Sequence, residues 1–295
     1  MARLFTLVTA AIFAALAGSS TAARKDACVL VDFTTKPTAS EFDSLNSAIG
    51  LVKSANVLGS LLKKYDPLVL RNVKLAGFNY SILGQHLTFV PTIETMNITG
   101  LRTVVPEHVN VTSSNTVDIS AYSTGHVSVE ASLGITTNLL DASAKVQLTF
   151  SMKKPTFAAN VEANMFACAP DVSTSLCSNM TVADLQVEVV KAAVFGNFKS
   201  ILKKVLVKFK GAAVKSTSID FDSVSEFDLS FDSSNFILSS ISGLLADYSA
   251  KSINNRGTVY KTVISAINGQ APGVLNHLIK TKLKPMFGAT CLSEE

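Results

Sequence analysis

Two segments, Ile219-Asp220-Phe221-Asp222 and Phe227-Asp228-Leu229-Ser230-Phe231, alternate apolar and polar side chains almost without fault. A period of two fits a strand with one face buried and the other in water. A strand of this kind is stable only beside others, so the chain must supply more strands and an apolar surface to cover them. It does so earlier. Val69, Arg71, Val73 and Leu75 open a strand series that continues through 87–89, 93–101, 116–119, 126–133 and 145–150. Serine, threonine and asparagine fill many outward positions, as in antiparallel sheets with one watered face. Segments 183–190 and 205–209 add two further strands.

Helical periodicity flanks this body. Phe42, Leu45, Ile49, Val52, Leu58 and Leu62 return every three or four residues, which predicts a long helix from Thr38 to Lys64. Thr38 and Glu41 can form its capping box, and Asp66-Pro67 stops it. After Asn235 three helical segments are expected: one around Phe236–Leu245, one on Val259, Val263, Ile264 and Ile267, and one on Val274, Leu275, Leu278, Ile279 and Leu283. Gly269 to Gly273, including Pro272, predicts a bend between the last two, and Pro285 an end. No Pro/Gly-rich linker divides the chain.

Met1-Ala2-Arg3, an apolar stretch from Leu4 to Ala17 and small residues at 19–23 have the three-part form of a secretory signal, giving residues 1–23 as leader and 24–295 as a single domain. Asn79, Asn97, Asn110 and Asn179 each begin an N-glycosylation triplet. Cys28, Cys168, Cys177 and Cys291 make an even count suited to two disulfides in an oxidising compartment. Four cysteines permit three pairings. The short hydrophilic loop between Cys168 and Cys177 favours that pair, leaving Cys28 for Cys291. The expected location is extracellular.

Met96-Asn97-Ile98-Thr99-Gly100-Leu101-Arg102 and the stretch Ile264 to Phe287, with Ile267-Asn268 and Asn276-His277-Leu278-Ile279, resemble segments of the tubular lipid-binding superfamily. That superfamily includes bactericidal permeability-increasing and lipopolysaccharide-binding proteins, palate-lung-nasal proteins, and juvenile-hormone-binding and takeout-like proteins. The resemblance implies an α+β fold in which a long, highly curved antiparallel sheet wraps a long N-terminal helix and a bent C-terminal helix around an elongated apolar channel. It implies non-catalytic binding or transport of a lipid or other hydrophobic ligand. The residues expected to line the channel are Phe42, Leu45, Ile49, Phe89, Met96, Ile98, Leu148, Phe150, Val187, Phe221, Phe227, Leu229, Val263, Ile267, Leu275 and Leu278. Each buried methylene contributes roughly 0.8 kcal/mol, so an acyl chain needs few polar contacts.

Lysine and arginine number 26 against 22 aspartate and glutamate, a net +4 too slight to imply nucleic acid as a partner. The cations cluster locally. Lys199, Lys203, Lys204, Lys208, Lys210 and Lys215 alternate with aliphatics and suit an anionic membrane surface, and Lys280, Lys282 and Lys284 form a smaller group. The same pattern also describes a solvated amphipathic element. His86, His108, His126 and His277 are isolated, with no HExxH, no G-x-S-x-G and no phosphate loop. Ser60 to Lys63 and Ser200 to Lys203 have an acyl-transfer spacing without its companion motifs. Asp220, Asp222, Asp228 and Asp232 read as the watered side of strands. No catalytic residue, metal or cofactor is expected. An adhesive or structural β-rich glycoprotein is the alternative reading, and a secreted hydrolase the third.

Overall fold

The protein was analysed as a computed structural model, which describes residues 28–36, 66–82, 85–138, 143–168, 209–233 and 247–287, with Thr38, Phe42, Asp43, Asn46, Ile49 and Leu206 besides. Eleven strands among them form two antiparallel sheets. The first contains β1 (Cys28–Leu30), β5 (Val104–Ser113), β6 (Thr116–Ser123), β9 (Thr156–Cys168) and β10 (Phe209–Asp220), in the order β1-β9-β6-β5 with β10 also on β9. The second contains β2 (Leu68–Lys74), β3 (Phe78–Ile82), β4 (Gln85–Thr99), β7 (His126–Thr137), β8 (Ser143–Lys153) and β11 (Ser223–Asp232). Its order is β11-β8-β7-β4-β2, with β3 also on β4. Two helices follow, α1 (Ala250–Asn254) and α2 (Thr258–Leu278).

This arrangement corrects the expected architecture. The α+β class and a long bent C-terminal helix are present, but the strands divide between two sheets, neither closed on itself, instead of forming one highly curved sheet around two helices. Two concavities among the described residues lie on the watered faces of the sheets, away from the inward position expected for an apolar channel. The described residues do not support a long N-terminal helix. Thr38, Phe42, Asp43, Asn46 and Ile49 are helical, whereas residues 50–65 lie outside the described residues.

Several boundaries differ for physical reasons. Pro91 lies within the unbroken β4, its carbonyl accepting from Leu75 N–H at 3.0 Å, so one strand replaces the expected two. β9 was not expected beyond Phe157, because alanine, a weak strand former that nevertheless allows close packing, fills half of its inward positions. The two separate strands expected at 205–209 and 219–222 meet instead as the two ends of the single strand β10, and Leu206 is helical. The two helical segments expected on either side of Gly269–Gly273 form the single bent helix α2, which runs through Pro272; proline removes one ladder bond there, but the apolar face on both sides is continuous. A π turn, Ile279–Leu283, and a 3-10 turn, Lys284–Met286, end the helical run at Pro285. The expected segments 183–190 and 236–245 lie outside the described residues.

One connected core joins the sheets and α2. Val117, Ile119, Phe157, Val161 and Met165 come from the first sheet, Leu70, Ile93, Val127, Phe150 and Met152 from the second, and Leu275 and Leu278 from the helix.

Candidate functional site

The two inner sheet faces differ in how completely they are covered. On the first sheet Val117, Ile119, Phe157, Ala159, Val161, Ala163 and Met165 are all buried. On the second, three neighbouring strands carry half-buried apolar side chains: Leu133 on β7, Val146 and Leu148 on β8, and Phe227, Leu229 and Phe231 on β11. Register makes them a continuous strip, since Phe231 pairs with Val146 and Val146 with Leu133, while Leu229 pairs with Leu148. Val146, Leu229 and Phe231 stand outside the packed core.

The expected channel residues are therefore divided. Phe42, Ile98, Phe150, Phe221, Leu275 and Leu278 are buried core. Ile49, Met96, Leu148, Phe227, Val263 and Ile267 are partly buried against that core, and Leu229 is half-buried in the open strip. Phe89 is buried apart from it, stacked on the exposed Phe78 with ring centroids 5.2 Å apart. Leu45 and Val187 lie outside the described residues.

Asparagines hold the helices against the sheets, a role the sequence reading missed. Asn276 Oδ1 accepts from Val214 N–H at 2.8 Å, and its Nδ2 donates to the Val214 carbonyl at 2.9 Å. Asn268 repeats the arrangement on Ile219 and Asn254 on Val224; Asn46 repeats it on Val109. Each side-chain amide stands in for the peptide group of an absent neighbouring strand, since β5, β10 and β11 are sheet edges. The only signal available in sequence was an asparagine within an apolar helical stripe, as at Ile267-Asn268 and Leu275-Asn276.

Two further constellations are structural. Asp66 accepts from Gly100 N–H at 2.9 Å and Arg102 N–H at 3.1 Å, fixing the 3-10 turn Leu101–Thr103 that ends β4. Gly100 has φ 84°, and a Cβ there would overlap the His126 carbonyl oxygen. At the β10–β11 turn, Tyr260 donates to Asp220 Oδ1, Arg256 Nη1 lies 3.5 Å from the same carboxylate, and Arg256 Nη2 donates to the Phe221 carbonyl. Desolvation pushes the Asp220 carboxyl up, but the bonds from Tyr260 and Phe221 N–H and the Arg256 charge outweigh it and hold the carboxyl below its ordinary value. Desolvation and the Asp220 bond push the Tyr260 phenol up.

Of the expected surface cations, Lys210 and Lys215 are exposed, and Lys215 pairs with Glu162 at 2.6 Å; Lys199, Lys203, Lys204 and Lys208 lie outside the described residues. Lys280, Lys282 and Lys284 are exposed beside Phe287, which stacks on Phe209 at 5.4 Å. Cys168 is disulfide-bonded, and β1 places Cys28 opposite it in register; Cys177, Cys291 and the leader lie outside the described residues. Asp222, Asp228 and Asp232 are exposed. Among the described residues, no group of three or more His, Cys, Asp or Glu is placed to hold a metal ion, and no helix is long and apolar enough to cross a membrane.

Two concavities open on the watered faces. The larger, 540 Å³, spans β2, β4, β7 and β8, and Asn97 is among its lining residues. The smaller, 230 Å³, lies across β5, β6, β9 and β10 and includes Asn110.

No family model and no curated protein matches the chain. Among solved structures, the crystal structure of takeout 1 from Epiphyas postvittana is similar over 82% of this chain and 94% of that one, at 13% identity and a TM-score of 0.30.

Proposed function

We propose that the protein binds a hydrophobic small molecule, a lipid or a compound of similar polarity, outside the cell and without transforming it. The observation that carries this reading is the half-buried strip of Leu133, Val146, Leu148, Phe227, Leu229 and Phe231, set against the closed inner face of the first sheet. Apolar area left accessible inside a fold gains about 25 cal/mol per Å² when a ligand covers it. The strip offers little polar recognition, so burial supplies most of the affinity and selectivity follows ligand length and girth. The superfamily resemblance of Met96–Arg102 points the same way, and the N-terminal leader supports secretion.

Native mass spectrometry of the secreted protein, followed by organic extraction and a panel of fluorescent fatty acids, sterols and phospholipids, tests the proposal. A co-purifying apolar compound, or saturable uptake from the panel, is the expected result. A folded protein that yields no extractable lipid and binds none of the panel overturns it and favours an adhesive or structural role.

The exposed Lys210, Lys280, Lys282 and Lys284 place positive charge at the end where Phe209 meets Phe287. That end suits contact with an anionic membrane during ligand exchange. Glutamine at all four positions should weaken attachment to anionic vesicles at low salt; unchanged attachment across a salt series rejects the role.

A further inference from the structure

Each concavity contains the asparagine of a glycosylation triplet. In the second sheet, register lines up Val69, Asn97, Glu130 and Thr149 across four strands, with Arg71, Thr95, Ser132 and Gln147 in the next row. Asn97 is oriented within this surface: its Oδ1 is buried without a hydrogen-bond partner, whereas Nδ2 is neither buried nor hydrogen-bonded. The nitrogen is the atom that N-glycosylation modifies. Around it, Arg71, Glu130 and Gln147 make no hydrogen bond among the described residues, so guanidinium donors, carboxylate acceptors and an amide with both functions are available to a hydroxyl-rich ligand. The first sheet repeats the relationship, with Asn110, Asp118, Asn160 and Ser216 in one register row and the Asn110 amide without a hydrogen bond among the described residues.

We propose that these concavities are beds for the protein's own N-linked glycans, with the first N-acetylglucosamine on Asn97 and on Asn110 lying against the sheet instead of projecting into solvent. The proposal rests on the extracellular reading, but not on ligand binding. An N-glycosidic bond forms between Nδ2 and C1 of a sugar supplied by a diphosphate-linked carrier; the carrier leaves as the diphosphate, and Nδ2 loses one proton. The 540 Å³ bed falls within the ~300–1,000 Å³ range of small-molecule sites. The 230 Å³ bed is shallower and accommodates less of the glycan. Asn79 provides the contrast: it is exposed on the edge strand β3 and lines neither concavity.

The test uses the full chain secreted from a glycosylating eukaryotic host. Glycopeptide mass spectrometry gives occupancy, and a peptide N-glycosidase time course on folded and unfolded protein gives the release rate at each site. Occupied Asn97 and Asn110, with release from folded protein at least tenfold slower than from Asn79 and equal release after unfolding, is the expected result. Arg71→Ala with Gln147→Ala, both exposed positions, should raise the release rate at Asn97 and leave Asn110 unchanged. Unoccupied Asn97 or Asn110, release from folded protein as fast as at Asn79, or protection at Asn97 that survives the double substitution overturns the proposal. Lipid extraction from the same material is read independently, so failure of the glycan beds and failure of hydrophobic binding are separate outcomes.

Discussion

Asn276 satisfies both backbone polar groups of Val214, accepting from its N–H at 2.8 Å and donating to its carbonyl at 2.9 Å. Truncation leaves two peptide groups of a part-buried strand without partners, and an unmet buried group costs about 1–3 kcal/mol. Asn276→Ala should therefore destabilise the protein by about 2–4 kcal/mol, while Asn276→Asp, which keeps an acceptor for the N–H but sets a carboxylate oxygen against the Val214 carbonyl, should cost at least as much as alanine. Urea unfolding monitored by circular dichroism measures both. A loss below 0.5 kcal/mol for alanine, within the ordinary range for surface substitutions of about ±0.5 kcal/mol, would show that the clamp is dispensable.

Gly100→Ala combines a left-handed backbone with overlap against the His126 carbonyl. It should cost at least ~1–3 kcal/mol. Asp66→Ala removes the acceptor for Gly100 and Arg102 N–H and should loosen the same turn. Amide exchange at residues 100–102 should rise in the Asp66 variant while exchange in β9 stays unchanged.

The Asp220–Arg256–Tyr260 cluster gives stability a pH signature at both ends of the scale. The folded-state pKa of Asp220 is depressed, so its contribution is present above the unfolded carboxylate value of about 3.9 and is lost as pH falls through the folded value. The Tyr260 pKa is raised, so its contribution is present below about pH 10 and is lost as pH rises through the folded value. Asp220→Asn should flatten the acid limb of a melting-temperature profile, and Tyr260→Phe the alkaline limb. Unaltered limbs in both variants would rule out the cluster as their source.

Strand register bears on the cysteines. Val31 N–H donates to the Met165 carbonyl at 2.9 Å, so the alternation of an antiparallel ladder makes Cys28 and Cys168 a narrow, non-hydrogen-bonded pair. The ~4.5 Å Cα separation typical of such pairs lies within the ~4.4–6.8 Å span of disulfides. Peptide mapping without reduction should recover Cys28 linked to Cys168. Recovery of Cys168–Cys177 with Cys28–Cys291, the pairing favoured by loop spacing, would show that the loop outweighs the ladder.

Leu229→Lys places an ammonium group in the half-buried strip and should reduce uptake of fatty acids and sterols at least tenfold. Its long stem can carry the charge to water, so the melting temperature should move little. Equal uptake by a folded variant would locate binding elsewhere.

Much of the strand body was legible because its polar residues alternate. The segments around Val69–Leu75, His126–Leu133 and Phe227–Phe231 all occur as strands. Their division between two sheets was not legible, because pairing β6 with β9 and β4 with β7 depends on contacts far apart in sequence. β9 was missed where alanine replaced β-branched residues, although Phe157, Val161 and Met165 keep the alternation. For the candidate site, apolar periodicity identified Leu148, Phe227 and Leu229 as inward-facing, but it could not separate them from filled core such as Phe150 and Phe221. Periodicity states which way a side chain faces, not whether another stands opposite.

Asn268 and Asn276 are eight residues apart on α2, about 12 Å of helical rise, whereas their targets Ile219 and Val214 are five apart on β10, about 16 Å of extended strand. The register shift between Val214 and Ser216 takes up part of the difference. Helix and strand thus behave as two rulers with unequal divisions, and their marks coincide at one setting. Sliding α2 by a single residue would misalign both amides together, so the wall it forms has a fixed gauge. A ligand of the proposed kind would be accommodated by side-chain rotation along the half-buried strip, because the wall itself has no neighbouring notch to move into.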